Sequence, residues 1–274
     1  MARGALCAAF LAGSALGVAL SHAVREYARA RRRGEGGNAA AASTPAEPTV
    51  AQAQALVAQS LSGAMQAAQI YVGDRLGLYA LMRADASSTT AVELAARTGL
   101  SQRWLREWLA QQAAMGVLQL EDGSGEDDSA LYYRLPRAFA TVLADADSPD
   151  YDVGMIQAVP AFVARAKELP AVFKHGRGVP YDDQDISQAI DRAHRVHTRH
   201  VFIPKLLPQV ADGRVLAALE AGVRCADLGC GAGCLLLALA QRFPKSQFHG
   251  FEISDPALEQ ANAALHLRSG VYYY

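Results

Sequence analysis

Neither sign of charge prevails in this chain. Its 26 basic residues face 27 acidic ones, a net charge of −1 over 274 residues. There is thus no general electrostatic reason to expect a nucleic acid or an acidic partner. Cysteine is scarce: four residues, scattered, exclude a disulfide framework. Cys225, Cys230 and Cys234 match no zinc spacing and lack a second cluster to close a tetrahedron, so no metal is expected there. They read as small, reduced residues suited to a reducing compartment. A bilayer-length apolar run is lacking as well, because the uncharged Ala/Leu-rich stretch at residues 5–20 falls short of the roughly 20 residues that span a membrane comfortably.

Three readings of that stretch stay open. It is a short uncleaved membrane anchor, a signal peptide with a small-x-small site at Ser21-His22-Ala23, or an Arg-rich organelle presequence. The anchor is favoured. Arg25, Arg29, Arg31, Arg32 and Arg33 lie on its carboxyl side, which places the body of an anchored chain in the cytosol. Residues 1–22 are therefore read as anchor or targeting segment. Residues 23–50, rich in Gly, Ala, Ser and Pro from 34 onward, are read as a flexible linker.

Residues 51–147 carry the signals of the first folded unit. Ala51 to Met82 is helical and mostly apolar, broken around Gly73 and Gly77. Thr90-Ala91-Val92-Glu93 is a capping box opening a short helix that ends near Gly99. Ser101 is placed to cap the next helix, which carries Trp104, Leu105, Trp108 and Leu109 at helical spacing and stops at Gly116. Val117–Leu120 and Leu131–Leu135 alternate as two strands around an acidic turn. Helix, turn, helix and hairpin make a winged helix-turn-helix. Gln102, Arg103 and Arg106 lie where a DNA reader would contact bases. Against that, the wing holds Glu121, Asp122, Glu126, Asp127 and Asp128, which repel phosphates. The unit is read as an interaction domain that binds no nucleic acid, with its tryptophans in the core or across a dimer.

The most informative run is Arg224-Cys225-Ala226-Asp227-Leu228-Gly229-Cys230-Gly231-Ala232-Gly233. An apolar lead-in ends in an acid, three glycines alternate with small residues, and Cys234 to Ala240 opens an apolar helix. Strand, glycine loop and helix is the order in which an open α/β sheet presents backbone N–H groups to a ligand at its carboxyl edge. Ser246 to Ile253 reads as a second strand with Glu252 near its end, where a carboxylate can accept both hydroxyls of a ribose. The dinucleotide fingerprint GxGxxG would put its third glycine at position 234, where Cys234 stands.

Acid-x-Gly-x-Gly-x-Gly followed by an acid after the second strand resembles the first motifs of class I S-adenosylmethionine-dependent methyltransferases. The resemblance implies S-adenosyl-L-methionine as cofactor. Gly229, Gly231 and Gly233 would lie against its methionyl and ribose part, Asp227 would organise the loop, and Glu252 would hold the ribose hydroxyls. Asp74-Arg75-Leu76-Gly77-Leu78-Tyr79, Glu93 to Ser101, Arg106-Glu107-Trp108-Leu109 and Gly176 to Tyr181 narrow the likeness. Over about residues 55–265 the chain is similar to methyltransferases with an N-terminal winged helix, mostly bacterial and of largely unassigned substrate. That family implies a small-molecule methyl acceptor and a homodimer formed through the winged helix.

Residues 148–212 read as a helical connector and 213–274 as the cofactor-binding domain. In the connector, Tyr181 is a candidate for substrate or cofactor contact, with a plain turn as the other reading. His194, His197 and His200 sit three apart on a helix. His194 or His197 could serve as the base that deprotonates an acceptor, or the histidines belong to a helix interface. The expected fold is α/β: a mainly helical N-terminal winged-helix domain, then an incomplete Rossmann-like parallel sheet. Only 47 residues follow Asp227, enough for one helix, the second strand and a further helix, so that the sheet is expected to have two strands, and the tail from Leu267 to Tyr274 matches nothing expected there. The chain is accordingly read as a methyltransferase cut off inside its catalytic domain and inactive as it stands. The other reading is a non-catalytic dimerisation or regulatory module that retains only the winged helix.

Overall fold

The computed structural model describes residues 47–85, 87–121, 131–178, 183–264 and 270–274. The described residues divide between two compact units, one with residues 47–58 and 172–178, the other with the described residues from 59 to 171 and from 183 to 274. Both sheets lie in the second unit.

The expectation of a membrane-anchored chain is corrected here. Among the described residues no helix is long and apolar enough to cross a membrane. The longest, α1 (Val50–Arg75), has the length but is interrupted by Gln52, Gln54, Gln59, Gln66 and Gln69. Residues 5–20 lie outside the described residues, as do the linker up to residue 46, Asp122, Glu126, Asp127, Asp128 and Tyr181.

Helix α1 begins where Thr49 and Gln52 cap each other: the Thr49 amide donates to Gln52 Oε1, and the Gln52 amide to Thr49 Oγ1. It ends before Gly77, whose φ of 68° takes the left-handed turn that leads into α2 (Leu78–Asp85). Helix α3 (Ala91–Thr98) is opened by the complete Thr90/Glu93 capping box and closed by Gly99 in the left-handed conformation. Helix α4 (Gln102–Ala114) starts at Ser101, whose side chain makes no cap hydrogen bond, contrary to expectation. Strands β1 (Gln119–Glu121) and β2 (Tyr132–Arg134) pair antiparallel with Leu120 opposite Tyr133, and Thr89 adds a bridge to Tyr133. Leu78, Tyr79, Leu94, Leu109 and Tyr133 are fully buried beneath them. The Tyr79 hydroxyl is satisfied in this core by Gln112 Oε1 at 2.6 Å.

The two tryptophans divide. Trp108 is 5% exposed, donates its indole N–H to the Gln69 carbonyl and tilts against Tyr79. Gly73 makes room for it, since a Cβ there would stand 2.5 Å from the indole. Trp104 is 71% exposed.

After α5 (Arg137–Ala144) the connector runs through a 3-10 turn (Gly154–Ala158), α6 (Val159–Arg165), α7 (Leu169–His175) and α8 (Gln184–His197). Asp183 caps α8 by accepting from the amides of Asp185 and Ile186. A π-helical stretch (Thr198–Leu206), a 3-10 stretch (Leu207–Gly213) and α9 (Arg214–Ala221) lead into the second sheet. Here β3 (Arg224–Leu228), α10 (Cys234–Arg242), β4 (Gln247–Phe251), α11 (Asp255–Ala264) and β5 (Val271–Tyr273) alternate, and the strands lie in the order β3-β4-β5, all parallel. Phe248, fully buried at the centre, packs with Leu236, Leu239, Phe243 and Val271. Such burial stabilises by roughly 2–3 kcal/mol. The sheet has one strand more than expected. The tail supplies β5, because Val271, Tyr272 and Tyr273 are β-prone and continue the parallel register from Phe248, His249 and Gly250.

Candidate functional site

The carboxyl ends of β3 and β4 carry the site. The loop after β3 turns through Gly229, Gly231 and Gly233, at φ of 84°, 56° and 79°. All three lie in the left-handed region that a side chain strains. The loop is tied to β4 by its amides: Gly229 and Cys230 both donate to the Phe251 carbonyl, at 2.7 and 3.2 Å. Gly231 N–H donates to Glu252 Oε2 at 2.8 Å, while Glu252 Oε1 accepts from the amides of Ile253 and Ser254. One carboxylate therefore holds three backbone N–H groups and links the two loops.

The three glycines differ in their surroundings. A Cβ on Gly229 or Gly231 would meet nothing within 4 Å, so both present bare backbone to open space. A Cβ on Gly233 would overlap the Tyr273 hydroxyl, which donates to the Gly233 carbonyl. Gly250 is likewise covered by the Tyr273 ring and Cys230. Tyr273 thus packs beneath the loop, and burial pushes its hydroxyl pKa well up.

Asp227 is half-buried in β3, opposite Gly250. Burial first, and then the Glu252 carboxylate, raise its pKa above the ordinary aspartate range. It makes no hydrogen bond to the loop among the described residues. The nearby thiols are held protonated: Cys230 is pushed up to about 11 by burial, Asp227 and Glu252, and Cys234 to about 12 by burial and Asp191. Neither serves as a thiolate nucleophile near neutral pH.

Apolar side chains flank the acid and the loop. Ile253 is 93% and Leu228 81% exposed at the same edge of the sheet. Beside the loop a cavity of about 900 Å³ runs from Ala232 and Cys234 along α10, between α8 with its π-helical extension and α11. Asp191, Arg192, Arg195 and Arg199 line it from the connector. His194 and His197, the two sequence-derived base candidates, are not among its lining residues. The pKa of His194 is lowered by desolvation and by its neighbour His197. The structure therefore gathers Asp227, the glycine loop and Glu252 into one site and leaves these histidines on another face of α8. Tyr273 and the arginines escaped the sequence reading. The 188-191-192-195-199 spacing of one helix face was the available signal for the connector residues.

Arg192 anchors that helix. Its guanidinium donates to both oxygens of Asp74, at 2.8 and 2.9 Å, and also to Gln157 Oε1 and the Tyr151 hydroxyl. Asp74 sits in the Asp74-Arg75-Leu76-Gly77 turn, so this fork joins the winged helix to the helix beside the glycine loop.

Among known families, residues 64–145 match the Rv2258c-like winged HTH domain and residues 213–270 match the methyltransferase small domain. Among solved structures, human N-acetylserotonin methyltransferase in complex with SAM is 18% identical, with a TM-score of 0.58 over 84% of this chain and 67% of that one. PigF with SAH is 20% identical, with a TM-score of 0.54 over 80% and 65%. An O-methyltransferase family protein from Burkholderia thailandensis is 18% identical, with a TM-score of 0.52 over 84% and 64%. No curated protein matches the chain. The chain thus has a winged-helix domain followed by part of a Rossmann-like methyltransferase fold, and it spans about two thirds of the length of these structures.

Proposed function

We propose that the glycine loop and Glu252 bind S-adenosyl-L-methionine, and that the reaction this fold serves is methyl transfer to a small-molecule nucleophile. The observation that carries this is the meeting of Gly231 N–H and the Glu252 carboxylate at 2.8 Å, beside the bare faces of Gly229 and Gly231. The donor set suits the cofactor: an acid for a ribose diol, open backbone for a methionyl chain, and Ile253 and Leu228 as apolar surface for a base. When bound, the cofactor supplies an electrophilic methyl group on a sulfonium. The protein's own residues then act by position and exclusion of water, the larger part of such catalysis.

Lone-pair arithmetic adds a requirement. A carboxylate offers about four acceptor sites, and backbone N–H groups already occupy three on Glu252. Two ribose hydroxyls need two, so one of these amides has to let go as the ribose enters, and we take it to be that of Gly231, the contact that crosses between the loops. Calorimetry with S-adenosylhomocysteine on the 274-residue chain tests the assignment. Glu252→Gln places an amide donor against backbone donors and should weaken binding at least tenfold. Gly231→Val fills the open face and should abolish binding. Parent affinity in both variants would remove the loop and the acid from the site.

The winged helix we read as the dimerisation element, with the exposed Trp104 on its surface. Gel filtration of the chain and of Trp104→Glu tests this. A monomeric parent sinks the reading.

A further inference from the structure

The cavity beside the glycine loop has a composition unlike the rest of this nearly neutral chain. Four arginines line it, Arg192, Arg195, Arg199 and Arg242, against one acid, Asp191. Their commitments differ. Arg192 is taken up by the bidentate Asp74 fork. Arg199 pairs with Asp147 at the surface, both side chains exposed, a kind of pair that contributes about 0–1 kcal/mol. Arg195 is exposed too, but its partner Asp191 is only 10% exposed and holds it. Arg242, at the end of α10, has no carboxylate partner among the described residues; its guanidinium lies over the Phe243 ring. The side-chain amide nitrogen of Gln260, on the α11 wall, is buried without a hydrogen-bond partner. A buried donor left unpaired costs about 1–3 kcal/mol, which a ligand acceptor would recover. Ile203, Leu237 and Ala238 give the lining apolar surface between Gln157, Gln188 and Gln241. The volume of about 900 Å³ falls in the range of small-molecule sites.

We infer that this groove is the acceptor site and that the methyl acceptor is a carboxylate-bearing molecule with an apolar ring: the carboxylate on Arg242 and the Gln260 amide, the ring over Leu237 and Ala238, and the reacting end toward Ala232 and the loop. This rests on the methyltransferase reading for the identity of the reaction, but not for the binding of the anion. Arginine suits the task because its planar fork matches a carboxylate in two parallel hydrogen bonds.

The test is calorimetry on the 274-residue chain with 4-hydroxycinnamate and, as a neutral match in shape, its methyl ester. The acid should bind at least tenfold more tightly than the ester. Arg242→Gln should erase that preference, and Arg199→Gln, a surface change that leaves α10 untouched, should reduce it about threefold. Circular dichroism on both variants separates lost recognition from lost folding. Equal affinity for acid and ester, or a preference that survives in folded Arg242→Gln, overturns the assignment. Binding of S-adenosylhomocysteine to the parent is measured alongside. Anion preference without cofactor binding would keep the groove and sink the methyltransferase reading; cofactor binding without anion preference would do the reverse.

Discussion

Replacing Asp74 by asparagine should loosen the connector helix from the winged helix. Two residues 118 apart meet here, with Asp74 10% and Arg192 28% exposed. Removing one member of a buried ion pair costs about 3–5 kcal/mol where the other charge is left stranded. Arg192 is not fully stranded. It keeps Tyr151 and Gln157, water reaches its exposed quarter, and the introduced amide would retain one acceptor for the fork. A loss of about 2 kcal/mol remains, near the value of one or two charge-assisted hydrogen bonds. The pair with Asp74 holds the Arg192 pKa above its already high ordinary value, so the guanidinium stays charged throughout and the loss should not vary with pH above the carboxylate range. Urea unfolding followed by circular dichroism reads this as a lowered midpoint at unchanged slope. Arg192→Met should cost much less in the Asp74→Asn background than in the parent, because the pair acts as a unit. A change under about 0.5 kcal/mol for Asp74→Asn, or additive effects in the double variant, would refute the coupling.

Thr90→Ala removes one arm of the capping box on α3 and should lower stability by about 1 kcal/mol in the same urea assay. Asp227 has a raised pKa in the fold, so its favourable contribution is complete below the ordinary aspartate range and is lost as pH rises through the folded value. Asp227→Asn should therefore stabilise the protein near neutral pH and leave it unchanged in acid; equal stability of the two proteins at neutral pH would count against the burial argument. Cys230 and Cys234, raised to about 11 and about 12, should resist iodoacetamide in mildly alkaline buffer in the folded chain and react on unfolding. Alkylation of either in the native state, read by mass spectrometry, would show that the loop opens to solvent.

What could be read from the sequence was local. The Thr90/Glu93 box, the Gly99 stop, the hairpin of the wing and the acid-flanked glycine loop each depend on residues a few positions apart, so spacing alone located them. The details that distinguish this chain join distant residues. The Asp74–Arg192 fork, the packing of Tyr273 under Gly233 and the arginine groove need three-dimensional proximity that no periodicity encodes. The strand at Val271–Tyr273 was missed for a different reason. Three residues are too few for an alternating pattern, and their pairing with β4 is what makes them a strand. Ser101 shows the limit of local rules: the residue type suits a cap, but its side chain makes no bond to the helix it precedes.

The central claim is that Glu252 and the glycine loop form a cofactor cradle whose Gly231 amide is released on binding. Amide resonances of the isotope-labelled 274-residue chain, followed during titration with S-adenosylhomocysteine, test it most directly. The account predicts that Gly229 and Gly231 move first and furthest. Gly231 should lose the shift of a charge-assisted hydrogen bond, while Thr90 and Glu93 in the winged helix stay still. A titration to millimolar ligand that leaves Gly229, Gly231 and Ile253 unmoved would contradict it.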